Sequence, residues 1–441
     1  MGMSSQEMIE LCLRHTMYSW SATGKVSPLP VASAQGVYLH GPEGQRWLDF
    51  NSQLMCVNIG HNHPRVVEAM KSAAEGLIFA FPGSATEQRA RLGQRLAQLV
   101  PGDINTFFFT LGGAEANENA IKAVRQFSGR HKILSRYRSY HGGTHACMQM
   151  TGDPRRLTHE PGPPGFVKVM DPWPYDYSFG DDDDQIVDNN LRYLEEVLMY
   201  EGPETIAAMF IETVTGSNGI LPPPRGYLPR LRELLDRHGI LLVCDEVMAG
   251  FGRTGKMFAF EHDGIVPDVV TMAKGLSSAY VPLGAMGVSD RIADYFRDNT
   301  FGGGLTYNAH PFACAVALAT LDVLVDEGMV DNAARLGAVM RRRMDELTAA
   351  HPSVGEGRCR GLFGILEIHR DAQGSRMAPY GGTHPAMQRL DAWLRDNGLF
   401  TFVRWSGIMC NPPLSITQEQ LLEGFAIIDE ALAITDEAFE G

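Results

Sequence analysis

Short apolar runs alternate with amphipathic stretches along most of the chain from about residue 64. Short runs of this kind are typical of buried strands, whereas apolar residues spaced three or four apart are typical of helices. The candidate buried strands are residues 105–110, 131–137, 206–212, 239–246 and 268–273. Strands that alternate with helices predict βα units around a mainly parallel sheet flanked by helices, and hence an α/β fold.

The two ends of the chain have a different pattern. Residues 4–17 predict a short helix, and the segments GVYLH and RWLDF, separated by turn residues, predict a β-hairpin. Helices are predicted over residues 311–326 and 329–349, followed by strands at LFGILEI and LFTFVRW. We therefore expect a large domain and a smaller α/β domain built from both termini, with the small domain at residues 1–59 and 306–441 and the large domain at residues 60–305.

Composition restricts the partners and the location. The 441 residues carry a net charge of −14, which argues against nucleic acid or anionic lipid as a partner because both attract basic surfaces. No apolar stretch approaches the roughly 18 residues that a membrane span needs. The seven cysteines are scattered without a C-x-x-C pair, and the first residues lack the pattern of a secretory signal. These features predict a cytoplasmic protein with neither a disulfide framework nor a zinc site.

The residues that follow the predicted strands form a candidate site, because ligands of open parallel sheets bind at the carboxyl ends of the strands. These residues are Gly112, Gly113, Tyr140, His141, Glu212, Asp245 and Lys274. Together they offer backbone donors for a phosphate, an aromatic ring for stacking, carboxylates for a ring nitrogen and an amine for an aldehyde. This set of groups complements pyridoxal 5′-phosphate (PLP).

Each of these features also has a structural alternative. A Gly-Gly turn is often steric, Asp245 can cap a helix or form an ion pair, and Lys274 can extend to the surface. Burial at a strand end would lower the pKa of Lys274 and make its amine nucleophilic, but each feature alone leaves both interpretations open, and only the set together points to one cofactor. We expect the acidic run FGDDDDQ to be a solvated loop, and His61 and His63 to mark a helix start rather than a metal site.

Several longer segments resemble the class III (ω-amino acid) aminotransferases of PLP fold type I, and the resemblance covers nearly the whole chain. The most specific segments are LLVCDEVMAGFGRTGKMFAFE, PDVVTMAKGLSSAYVPLGA and LTYNAHPFACAVALA, supported by LGGAEANENAIK and YHGGT. The resemblance implies PLP as the cofactor. It also implies a homodimer with shared active sites, with a tetramer as a further possibility.

The resemblance implies a role for each site residue. Lys274 would bind the cofactor and carry a proton, and Asp245 would keep the pyridine nitrogen protonated. Glu212 would orient either Asp245 or the hydroxyl side of the ring. The remaining cofactor contacts would come from Gly112, Gly113, Ala114, Tyr140, His141 and Val247, and from Thr306 across the subunit boundary. The family's phosphate turn usually carries two serines, and here Gly112 and Ala114 replace them. Phosphate binding must therefore depend on backbone donors and Thr306.

The substrate side is implied in the same way. Trp20, Met55 and Phe81 would form an apolar wall, and Arg404 would bind the carboxylate of a 2-oxo acid, with a surface arginine as the alternative. The implied reaction moves an amino group from an ω-amino acid, a taurine-like compound or an amine to pyruvate or 2-oxoglutarate. The alternatives are PLP-dependent decarboxylation, racemisation or aminomutase chemistry, and a non-catalytic binding protein on the same fold.

Overall fold

A seven-stranded sheet forms the centre of the computed structural model, which describes residues 3–441. In spatial order its strands are β4 (Ile104–Thr110), β10 (Gly284–Ser289), β9 (Val269–Met272), β8 (Leu241–Asp245), β7 (Ile206–Glu212), β5 (Lys132–Arg136) and β6 (Phe166–Val169). Strand β10 runs antiparallel between β4 and β9, and the other neighbouring pairs are parallel. The predicted mainly parallel α/β fold is confirmed.

The central strands are apolar because they are covered on both faces. Every residue of β7, β8, β9 and β10 is buried. A strand buried on both faces is continuously apolar rather than alternating. This explains why three predicted runs coincide with β7, β8 and β9; the other two coincide with β4 and β5.

Helices cover the sheet and build the two ends of the chain. They are α1 (Ser5–His15), α3 (Pro64–Glu75), α4 (Glu87–Leu99), α5 (Gly113–Ser128), α6 (His145–Met150), α7 (Asp183–Glu201), α8 (Tyr227–Arg237), α9 (Asp290–Asp298), α10 (Pro311–Asp326), α11 (Met329–Ala350), α12 (Pro385–Asp396) and α13 (Gln418–Asp436), with one irregular turn, α2 (Ser52–Met55). The helices predicted over residues 4–17, 311–326 and 329–349 are confirmed. Within residues 3–441, no helix has both the length and the apolar character that a membrane span requires.

Two four-stranded sheets accompany the central one. The first has the order β1 (Ser33–Gln35), β2 (Tyr38–His40), β3 (Arg46–Asp49) and β13 (Leu399–Phe400), and it contains the predicted hairpin. The second has the order β11 (Val354–Arg360), β12 (Phe363–Ile368), β15 (Gly407–Cys410) and β14 (Val403–Arg404).

The prediction of one strand at LFTFVRW is wrong. Its first half, β13, pairs in parallel with β3, whereas its second half, β14, pairs antiparallel with β15 in the other sheet. An apolar run does not reveal such a change of sheet, because distant segments supply the pairing partners.

The carboxyl ends of the central parallel strands lie side by side. Glu212 at the end of β7 is in register with Asp245 at the end of β8, and Asp245 is in register with Thr271 on β9. Lys274 follows β9 directly. Sheet register therefore brings two carboxylates and a lysine to one edge of the sheet.

Candidate active site

A cavity of about 430 Å³ lies at this edge of the sheet. The structure brings together on its walls the predicted residues Gly112, Gly113, Ala114, Tyr140, His141, Glu212, Asp245, Val247 and Lys274. Cys56 also lines the cavity. The strand-end argument therefore located one continuous site, assembled from segments that are far apart in sequence.

Lys274 occupies a constrained position on this wall. It starts a short 3-10 turn with φ +43°, in the left-handed region that residues other than glycine rarely adopt. Burial lowers the pKa of its amine, and the nearby Cys56 and Glu212 oppose that shift. A lowered pKa increases the fraction of neutral amine, the nucleophilic form. Backbone strain of this kind is common at active sites.

Asp245 is held by a network of hydrogen-bonding groups. Its side chain is 4% exposed. Oδ2 accepts a hydrogen bond from Asn117 Nδ2 at 2.8 Å and lies 2.8 Å from His141 Nδ1, while Oδ1 accepts the Val247 N–H at 3.1 Å. Thr271 Oγ1 donates to Asn117 Oδ1 at 2.8 Å, which orients the amide so that its nitrogen faces Asp245. The carboxylate is therefore fixed in position and direction.

Asn117 is a site residue that the sequence interpretation missed. It lies one helical turn after Gly113 on α5, at the i,i+4 spacing that places both on one face of the helix. Its Nδ2 also donates to the carbonyl of His141 at 2.8 Å. The helix spacing could have identified Asn117 from the sequence, because a residue one turn beyond the glycine turn faces the same cavity.

Glu212 ties β7 to the segment that carries Tyr140. Its Oε1 accepts the Tyr140 N–H at 2.8 Å and its Oε2 accepts the Gly216 N–H at 2.9 Å. Burial raises the pKa of Glu212 against these two backbone donors. The hydrogen bonds of Glu212 thus position the Tyr140 backbone, and its relation to Asp245 is one of register between neighbouring strands.

The amino end of α5 forms a cradle. Gly112 precedes the helix, and its first residues, Gly113 and Ala114, line the cavity. The first N–H groups of a helix have no acceptor within the helix, and together with the helix dipole they attract anions. A Cβ atom on Gly113 would lie 2.8 Å from Val247 Cγ2. A side chain at residue 113 would therefore force the Val247 side chain or the start of α5 to shift.

The predicted substrate residues are more dispersed. Trp20 is 57% exposed, and its ring lies edge-on to Tyr140 with 6.2 Å between the centroids. Met55 is buried in an apolar cluster that includes Met248. Phe81 is 74% exposed. Thr306, which was predicted as a cofactor contact, is also exposed and does not line the cavity.

Arg404 is ion-paired beside the site. Its NH2 group donates to Asp153 Oδ2 at 2.6 Å, and its guanidinium carbon lies 4.4 Å from the centre of the Trp405 ring. Asp153 is fully buried. Arg404 therefore faces a counter-ion of its own chain, which the sequence did not predict.

Arg155 is a second guanidinium that the sequence interpretation missed. Its guanidinium carbon lies 3.6 Å from the centre of the Tyr140 ring. Its Nε and NH2 groups donate to the two oxygens of Asp153 at 2.9 and 2.8 Å, and NH2 also donates to Ser217 Oγ at 3.0 Å. The segment from Asp153 to Arg155 follows none of the predicted strands, so sampling strand ends could not find it.

The alternative metal sites have structural roles instead. His61 Nε2 lies 2.8 Å from the buried carboxylate of Asp49, and His63 precedes α3. Asp182 of the acidic run caps the amino end of α7. Across residues 3–441, no group of three or more His, Cys, Asp and Glu side chains is placed to hold a metal ion.

The residues on the cavity wall fit PLP. The glycine cradle at Gly113 offers backbone donors where a phosphate needs them, and the fixed carboxylate of Asp245 suits a protonated ring nitrogen. Lys274 adds an amine with a lowered pKa on the same wall. These groups match the phosphate, the ring nitrogen and the aldehyde of the cofactor.

Comparisons with known proteins agree with this assignment. The model of the family "Aminotransferase class-III" matches residues 20–432. A taurine:2-oxoglutarate aminotransferase from Bifidobacterium kashiwanohense, solved in complex with PLP and glutamate, is 40% identical, with a TM-score of 0.96 and 100% of both chains covered. A thermostable (S)-enantioselective omega-transaminase from Thermomicrobium roseum is 36% identical, with a TM-score of 0.93 and 100% of both chains covered.

A curated relative extends the comparison. A probable aminotransferase from Mycobacterium tuberculosis is 38% identical over 352 residues, which cover 77% of this chain and 75% of the relative. The family match over residues 20–432, these relatives and the chemistry of the cavity together assign the reaction. The chain belongs to the class III aminotransferases, PLP-dependent enzymes that transfer an amino group to a 2-oxo acid.

Proposed function

We propose that this aminotransferase takes its amino group from an ω-amino acid, a taurine-like compound or an amine, and passes it to pyruvate or 2-oxoglutarate. The observation that carries the proposal is a pair of guanidinium groups that share the carboxylate of Asp153: Arg155, which lies over the ring of the cavity residue Tyr140, and Arg404. A planar guanidinium favours a carboxylate or a sulfonate through paired hydrogen bonds. The similar enzyme whose name specifies taurine and 2-oxoglutarate supports acidic substrates on both sides of the reaction.

We assign each residue of the cavity its own role in the reaction. Bound PLP supplies an electron sink for the carbon that carries the amino group. Lys274 Nζ would bind the cofactor and would move the proton from that carbon. Asp245 holds the proton of the ring nitrogen, while Asn117 and His141 hold Asp245 in place. Tyr140 would cover the ring, and Glu212 fixes the Tyr140 backbone.

The phosphate is held by backbone donors, with a contribution from a second subunit. Gly112, Gly113 and Ala114 supply the amino end of α5. We assign the remaining contact to Thr306 of the opposite chain in a homodimer with shared sites. Exposed apolar side chains close to Thr306 support this assembly, since Phe79 and Tyr307 are both exposed and their ring centroids lie 6.2 Å apart.

We also propose the cytoplasm as the location of the enzyme. The cysteines at seven positions are all free thiols. Thiols persist in reducing compartments, whereas oxidising compartments favour disulfides. Fractionation of the source cells with an antibody against the chain tests this location, and recovery in an oxidising compartment would contradict it.

A panel of amino donors tests the substrate proposal. Each donor is offered with pyruvate and with 2-oxoglutarate, and the oxo product and the new amino acid are both quantified. Equal amounts of the two products are expected for an acidic ω-amino donor, with no product from Lys274→Ala. Loss of carbon dioxide, or inversion of the donor without transfer, would instead identify a decarboxylase or racemase on this fold.

A further inference from the structure

Another cavity, of about 340 Å³, lies apart from the catalytic one and has four arginines on its wall. Segments that follow β5 and β6 of the central sheet form one side of it, and α11 with β11 forms the other. None of the described residues on its wall also lines the catalytic cavity. Its volume is sufficient for a small molecule, since ligand sites begin at roughly 300 Å³.

Three of the four arginines on this wall have carboxylate partners. Arg358 and Arg376 share the buried carboxylate of Glu367, and Arg341 pairs with Asp345 at 3.7 Å. The fourth arginine, Arg138, forms no ion pair within residues 3–441, and its guanidinium donates only to carbonyl groups. Arg138 is therefore the cation of this wall that lacks a counter-ion.

The two carboxylates on the same wall are engaged elsewhere. Glu356 pairs with Arg358, and Asp183 accepts the backbone N–H of Arg225 at 3.1 Å. Neither carboxylate serves as a partner of Arg138 in the described part of the chain.

Burial makes the position of Arg138 costly. The residue is 6% exposed, and its NH1 and NH2 groups donate to the carbonyls of Trp173 at 2.9 Å and Asn218 at 2.6 Å. Its Nε is buried and has no hydrogen-bond partner within the described residues. Burial lowers the pKa of this guanidinium, and the carboxylates of Asp171 and Glu367 oppose that shift. A buried cation held by uncharged acceptors gains from an anion that reaches it.

A second guanidinium converges on the same place. Arg358 NH2 donates to the carbonyl of Gly219 at 2.9 Å, and Arg358 Nε is likewise buried without a partner among residues 3–441. A Cβ atom on Gly219 would lie 2.7 Å from Arg138 NH2 and 3.7 Å from Arg358 NH2. Like charges held this close repel each other, and an oxyanion between them would remove the repulsion. Planar guanidinium groups bind carboxylate and phosphate through paired hydrogen bonds.

The remaining wall is apolar and fixed. It consists of Trp173, Pro174, Leu221 and the proline run at residues 222–224. Trp173 Nε1 donates to the carbonyl of Pro222 at 2.8 Å, which holds the indole against this run. Such a wall suits the carbon skeleton of a ligand, whereas the arginines suit its charged group.

We propose that this cavity binds a small organic anion, with its carboxylate or phosphate group on Arg138 and Arg358 and its carbon skeleton along Trp173 and the proline run. The site is separate from the catalytic cavity, and the inference does not depend on which amino donor the enzyme uses.

Calorimetric titration of the PLP-loaded enzyme tests the proposal, with succinate and inorganic phosphate as separate probes. At least one probe should bind, and the tighter of the two identifies the charged group that the site prefers. Arg341→Glu should raise the Kd of that probe about 10-fold or more, because it places a negative charge on the cavity wall. The Arg341 side chain is 41% exposed, so the variant should fold. Absence of binding by both probes would overturn the proposal.

Arg342→Glu is the matched control. Arg342 is the next residue of α11, is exposed and does not line the cavity, yet its substitution changes the net charge by the same amount. The Kd of the probe should stay within about two-fold of the unmodified value, since exposed charges are screened over roughly 10 Å. An equal increase in both variants would mean that only the overall charge matters, and would overturn the proposal.

Two further variants locate the bound anion. Arg138→Gln removes the charge without a counter-ion, and binding of the probe should be lost. If this variant does not fold, Arg341→Glu and its control still decide. Binding that is lost in Arg404→Ala but kept in Arg341→Glu would place the anion with the substrate arginine instead, and would overturn the proposal. Absence of amino transfer by the unmodified enzyme would overturn the proposed function alone, because anion binding is measured without turnover.

Discussion

Replacement of Asp245 by Asn removes the charge that stabilises a protonated ring nitrogen while nearly preserving the shape of the side chain. The network around Asp245 makes the consequence specific. Its two oxygens accept hydrogen bonds from Asn117 and Val247, and Thr271 prevents the Asn117 amide from turning. An amide accepts through one oxygen only. One of these donors therefore loses its partner in Asp245→Asn, whichever way the new amide is oriented.

The expected magnitude has two parts. A buried donor without a partner costs about 1–3 kcal/mol of folding free energy. Removal of a fixed group that stabilises developing charge typically costs about 10²- to 10³-fold in rate. We therefore expect Asp245→Asn to lose at least about 100-fold in turnover while still binding PLP.

The assay separates these two parts. Turnover is measured for both half-reactions, and stability is measured by denaturant unfolding of the cofactor-loaded enzyme. The control is Glu246→Gln, the adjacent and equally buried carboxylate, which accepts the Ala259 and Phe260 N–H groups instead of facing the cavity. It should remain within a few-fold of the unmodified rate. A folded Asp245→Asn enzyme with a comparable rate would show that Asp245 is only structural.

The other predictions concern three residues of the site and its surroundings. Burial raises the pKa of Glu246 from 4.5 to about 7, so between these pH values the folded state keeps a proton that the unfolded state releases. The free energy of unfolding should therefore fall as pH rises through that range, and Glu246→Gln should flatten the slope in denaturant titrations. Gly113→Ala should weaken cofactor retention during dialysis, because the new Cβ would lie 2.8 Å from Val247. Gly112→Ala should retain the cofactor, because no atom lies within 4 Å of its new Cβ. Equal retention by both variants would contradict the role of Gly113 in the phosphate cradle. Lys274→Ala should abolish turnover and the visible band of the lysine-bound cofactor, and unmodified turnover would refute its assignment.

The cofactor chemistry could be predicted because local pattern and sheet physics agree. Apolar runs mark strands that are buried on both faces, and the next residue of each strand lies at the ligand-binding edge of a parallel sheet. Asp245 and Lys274 are therefore visible in the sequence as polar residues at the ends of such runs. The division into domains at residues 60 and 306 stays a prediction.

The amino-acid sequence by itself determined the mainly parallel sheet, the glycine cradle and the polar residues at its edge, because these depend on short-range patterns. Only the tertiary structure decided that LFTFVRW is split between two sheets and that Arg404 forms an ion pair with Asp153. Both are pairings between segments that are far apart in the chain. Hydrophobic periodicity specifies which face of a segment is buried, but the partner it meets there depends on how the whole chain packs.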